Sequence, residues 1–141
     1  MARVPRRSWP WRPFPIWALL VAAWPVLFLF AENIAEVQLR DVVPPLGRAL
    51  IAASLLLHVA ALLFRDIRRG ALVSGALVIA WFGYGHVAEL AGPAGAAREV
   101  QLAGWAVFLL VALVAAILLR ERWLARITMA LDVIVSILVI L

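Results

Sequence analysis

Residues 70–90 read GALVSGALVIAWFGYGHVAEL, an apolar run that follows Arg65, Arg68 and Arg69 and ends in aromatic residues, glycines, His86 and Glu89. At ~1.5 Å of helical rise per residue, positions 70–87 cover roughly the ~30 Å hydrocarbon core of a bilayer. One end of this predicted helix carries arginines. The other carries Trp81, Tyr84, His86 and Glu89, which gives it a direction relative to the membrane.

The rest of the chain repeats the pattern. Of its 141 residues, 67% are hydrophobic and only 15% are charged, too few polar groups to cover a water-soluble domain. Lipid is the solvent that suits this composition. The expected fold is all-α: a polytopic transmembrane helical bundle of four complete spans and a fifth, truncated one. A basic cytoplasmic arm, 1–13, leads into a transmembrane domain, 14–141. Its spans are expected at about 14–31, 46–64, 70–89, 100–119 and 127–141. The last run holds about fifteen apolar residues, short of the ~20 needed to cross. Pro25 falls inside the first span, a position expected to kink the helix. Pro44-Pro45 closes the polar segment before the second span.

All thirteen basic residues are arginine, and the net charge is +5. A nucleic-acid interface needs a basic face among polar surroundings. These arginines instead stand in short clusters between apolar runs, the positions of topology signals, so no nucleic-acid partner is expected. Ten of the thirteen fall in the arm, at 65–69 and at 120–126. Arg40, Arg48 and Arg98 fall on the other side, with Glu32, Glu36, Asp41, Glu89 and Glu99. The positive-inside rule then puts the N-terminus in the cytoplasm and the two acidic loops outside. Cysteine is absent, which removes disulfides, iron–sulfur clusters and thiolate zinc sites. No cofactor is expected.

Few side chains are suited to chemistry. Glu32 and Asn33 end the first span at the depth where His86 ends the third. Glu32, Asn33, Glu36, His86 and Glu89 thus form a candidate polar cluster between two helices. It reads either as interfacial residues touching water and headgroups, as a hydrogen-bonded helix contact, or as a metal or proton site. One histidine among carboxylates has no metal-ligand spacing to single out the last. His58, near mid-bilayer, and Asp132, inside the fifth run, are ionisable groups within the membrane, where burial is costly and function a default hypothesis. His58 suits either a bond to a neighbouring carbonyl or a proton relay. Asp132 is within reach of Arg126 or Arg122. The tetrapeptide Phe82-Gly83-Tyr84-Gly85 resembles a potassium-channel filter in composition, but it ends a run already long enough to cross, whereas a filter lies in a re-entrant loop. Ala71-x-x-x-Gly75 and Ala112-x-x-x-Ala116 are spaced for close helix approach within the bundle. No catalytic set appears, so the chain itself is not expected to be an enzyme.

Two stretches carry a family resemblance. WPVLFLFAENIAEV at 24–37 and WFGYGHV at 81–87, with LFRDIRRGA at 63–71 between them, resemble the N-terminal membrane region of bacterial membrane-anchored sulfatase-like proteins of the alkaline phosphatase superfamily. That resemblance implies an extracytoplasmic metal-dependent hydrolase or transferase domain after the membrane region. The chain ends before any such domain, so none of the family's catalytic or metal residues has a counterpart here. On this reading the chain is an anchor fragment, with the lipid bilayer and that missing C-terminal domain as its partners. A small stand-alone transporter or channel subunit, or an accessory subunit of a membrane enzyme, is the alternative.

Overall fold

The computed structural model describes residues 14–91 and 95–141, with the side chains of 89–91 and 95–97 left aside. The basic arm at 1–13, loop residues 92–94 and the Glu89 side chain lie outside the described residues. Five helices follow one another: α1 (Trp17–Glu32), α2 (Leu39–Phe64), α3 (Ile67–Ala91), α4 (Gly95–Leu118) and α5 (Glu121–Ile140). No strand occurs among the described residues. Helices α2 to α5 are long and apolar enough to cross a membrane. The chain is a multi-pass, all-helical membrane protein.

Three boundaries differ from the sequence expectation, each for a physical reason. Helix α2 begins at Leu39, so Pro44 and Pro45 lie inside it. Proline removes the bond that its N–H would give to the carbonyl four residues earlier. Those carbonyls belong to Arg40 and Asp41, both exposed at the helix end, where water replaces the lost partner. Helix α5 begins at Glu121 and is 20 residues long, long enough to cross. Arg122 and Arg126 are part of the helix rather than a turn before it, and Arg126 lies 5.1 Å from the Trp123 ring centre, its aliphatic stem free to cover apolar surface. The helix that falls short is α1, with 16 residues and Pro25 inside it.

Helix α3 is the centre of the bundle and packs against the other four; α1 also packs on α2 and α5. Small residues allow this. A Cβ at Gly70 would lie 2.5 Å from the Ala61 backbone nitrogen, so α2 and α3 approach as closely as glycine permits. Gly75 receives the benzo edge of Trp17, and Gly83 receives the ring of Trp105 from α4. Ala71 and Ala116 are fully buried. The core joins Trp17, Ala18, Leu57, Ala71 and Val135 from four helices. The tetrapeptide at 82–85 is helical, and α3 continues past it to Ala91. Gly83 there serves packing, and no re-entrant loop forms.

Candidate functional site

The turn between α2 and α3 is two residues long. Arg65 adopts a left-handed conformation, φ 52°, the usual way for a helix to end, though glycine more often fills the position. Asp66 then caps α3: its Oδ1 accepts the backbone N–H groups of Arg68 at 2.8 Å and Arg69 at 3.2 Å, the second and third residues of the helix. That cap fixes the direction in which Arg68 and Arg69 leave the turn.

Arg69 reaches across to α4. Its Nη1 donates to the carbonyls of Ala116 at 2.6 Å and Ile117 at 2.9 Å, and its Nη2 to that of Leu119 at 3.3 Å. These are carbonyls at the C-terminal end of α4, which lack helical partners and carry the negative end of the helix dipole. One guanidinium therefore terminates a helix that has no basic residue in its own last turn.

The start of α1 has the complementary problem. Trp17, 3% exposed, packs on Gly75, which stands roughly 12 Å along α3 from Ile67. Helix α1 thus begins after the buried Pro15, and the first N–H groups of a helix have no partner within it. Asp132 of α5 answers: its Oδ1 accepts the Trp17 backbone N–H at 2.8 Å. The side chain lies roughly 16 Å along α5 from Glu121, and a carboxylate at a helix N-terminus also gains from the dipole. Asp132 does not reach Arg126 or Arg122. Arg126 is six residues earlier, about 600° of rotation, which puts it on another face of α5. The Trp17 indole Nε1 is buried without a hydrogen-bond partner among the described residues, a loss of about 1–3 kcal/mol relative to a satisfied donor.

The remaining candidates lie apart. His58 is exposed on α2, and its Nδ1 is 2.7 Å from the Ser54 carbonyl. A carbonyl can only accept, so Nδ1 carries the hydrogen. The ring stands ~9 Å from the Phe64 end of α2, nearer that end than the helix middle. At the opposite end of the bundle, Asn33 donates from Nδ2 to the Leu29 carbonyl of its own helix at 2.8 Å. Glu32, Glu36 and His86 are exposed there, and no hydrogen bond joins them to one another or to Asn33. No three potential metal ligands converge among the described residues. The polar helix-to-helix contact near this end comes from Gln101, which is buried and donates from Nε2 to the Tyr84 carbonyl at 2.7 Å.

Sequence reasoning singled out Asp132 but missed Arg69, Gln101 and Gly70. Gln101 carried a usable signal: an amide within an apolar span must find a partner in its own bundle. The three side chains that bond between helices, Asp132, Arg69 and Gln101, share one chemistry. In each, a side chain meets a backbone group, and two of the three close a helix terminus. Compared with protein-family models, curated proteins and solved structures, the chain matches none.

Proposed function

We propose that this chain is an integral membrane anchor domain of the bacterial cytoplasmic membrane, with its arginine end and N-terminus in the cytoplasm. The observation that carries this reading is the use of the polar side chains that reach between helices. Asp132, Arg69 and Gln101 each spend their hydrogen bonds on the backbone of a neighbouring helix, which holds helices in fixed register. His58, the side chain best suited to a proton pathway, bonds within its own helix and points away from the bundle. The arginine distribution supports the orientation. The finer reading is that the anchor carries a sulfatase-like hydrolase or transferase domain on the extracytoplasmic side; it rests on the resemblance of 24–37 and 81–87.

The anchor reading predicts that the chain, fused after Leu141 to a reporter enzyme active only outside the cytoplasm, stays in the membrane pellet through an alkaline carbonate wash and gives active reporter. Release into the soluble fraction, or an inactive reporter on a membrane-bound fusion, would overturn it. The finer reading is tested by the genomic reading frame after codon 141. A hydrolase-like frame is expected, and an immediate stop with none downstream would sink it.

A further inference from the structure

Helix α4 packs on α3, and α5 packs mainly on α1 and only lightly on α3, without extended packing between α4 and α5. The gap is a cavity of about 290 Å³ whose walls are apolar, among them Leu72, Ala112, Ala115, Leu119, Ile127 and Leu131. It extends along α4 from Phe108 to Leu119, roughly 16 Å of helix, the shape of an aliphatic chain lying parallel to the helices.

The charge at one end of this cleft is unbalanced. Leu119, just after α4, lines the cleft, and its carbonyl is held by Arg69. Arg120 follows directly. On α3, Arg68 lies one turn before Leu72, on the cleft-lining face; it is 8% exposed and makes no side-chain hydrogen bond or ion pair among the described residues. On α5, Trp123 lies one turn before Ile127, with Arg126 over its ring. Positions 65–69 and 120–126 together hold six arginines against Asp66 and Glu121, and Asp66 is engaged in capping α3. Arg69 is likewise engaged with α4, which leaves buried Arg68 beside Leu72 and exposed Arg120 beside Leu119 as the arginines next in sequence to this end of the cleft.

We propose that this cleft is a binding site for an anionic phospholipid, one acyl chain lying between α4 and α5 and the phosphate resting against Arg68 and Arg120. A zwitterionic lipid would leave the excess positive charge unanswered, and a second copy of this chain would bring a second arginine cluster against the first. A basic pocket at the edge of an apolar interhelical groove is the combination that anionic headgroups recognise. The site does not depend on which side of the membrane the arginines face, so it stands or falls separately from the anchor reading.

Native mass spectrometry of the full chain tests it, with dioleoyl phosphatidylglycerol and dioleoyl phosphatidylcholine competing at equal concentration. The anionic lipid should be retained in about tenfold excess or more, each nearby arginine contributing about fivefold. Arg68→Gln and Arg120→Gln should each lower that preference about fivefold and leave phosphatidylcholine retention unchanged. Ala115→Phe, which fills the cleft with every arginine in place, should abolish retention of phosphatidylglycerol. Ala112→Leu is a milder filling variant for use if Ala115→Phe loses its helical circular dichroism, and it should lower retention in the same direction. Inorganic phosphate should not compete. Equal retention of the two lipids, displacement by inorganic phosphate, or a preference that survives cleft filling would overturn the proposal.

Discussion

The two ends of the bundle differ in how polar side chains meet helix termini. At the arginine end, helices are joined by two-residue links, Arg65-Asp66 and Leu119-Arg120, and side chains close helix termini: Asp66 on α3, Arg69 on α4 and, deeper, Asp132 on α1. At the other end, the link between α1 and α2 runs through six residues, 33–38. There, among the described residues, Asn33 and Arg48 bond to carbonyls four residues back in their own segments, and Gln101 bridges α4 to the Tyr84 carbonyl without closing a helix terminus. The difference follows from water. A helix terminus held away from water must find its partners within the protein. One at the interface is served by solvent and headgroups, so its side chains carry little of the stability. Bundle stability should therefore be concentrated at the arginine end.

Glycine offers the sharpest way to break that comparison. Gly70→Val drives a side chain into the Ala60–Ala61 backbone of α2, which cannot rotate aside. Unfolding in detergent should show a loss at or above the ~3 kcal/mol upper range of ordinary overpacking. Gly85, toward the other end of the same helix, has nothing within 4 Å of a built Cβ. Gly85→Ala should be neutral or stabilising by up to ~1 kcal/mol through helix propensity. Comparable losses at both positions would mean that the ends do not differ in packing.

Asp132 tests the polar half of the contrast. Asp132→Ala strands the Trp17 N–H in the interior and should cost about 1–3 kcal/mol. Asp132→Asn keeps an acceptor at the same place and should cost less. Exposed Glu36, substituted by alanine, should change stability by no more than ~0.5 kcal/mol. An Asp132→Ala protein as stable as the Glu36→Ala protein would show that the carboxylate does not support α1.

The smallest effect is expected between His86 and Glu32. Both are exposed and no bond joins them, so a double-mutant cycle with alanine at each position should give additive losses within about 0.3–0.5 kcal/mol. A larger coupling would extend the stabilising network to the far end and blur the distinction.

The helical class was legible in the sequence because it depends on composition and run length. What escaped is what depends on partners far away in the chain. Asp132 was conspicuous as a carboxylate in an apolar run, but its acceptor role is set by Trp17, 115 positions away. Local spacing pointed instead to Arg126, which helical rotation turns aside. Ala71 and Gly75 stood out by their four-residue spacing, whereas Gly70, which meets the Ala60–Ala61 backbone of α2, was read only as the first residue of the third span. The starts of α2 and α5 were hidden because prolines and charges near a helix end are tolerated wherever water reaches the backbone. The sequence signal for α5 was local: Glu121 stands in the first helical turn, favourable at a helix N-terminus.

The proposed orientation puts the arginine end of the bundle in the cytoplasm. The chain contains no cysteine, so single cysteines introduced at Ile67 and Gln38 give unambiguous labels. In intact cells, a thiol reagent that cannot cross the membrane should label Gln38→Cys and leave Ile67→Cys unlabelled until the membrane is permeabilised. Labelling of Ile67→Cys with protection of Gln38→Cys would contradict the orientation, and equal labelling of both without permeabilisation would contradict the membrane-spanning bundle itself.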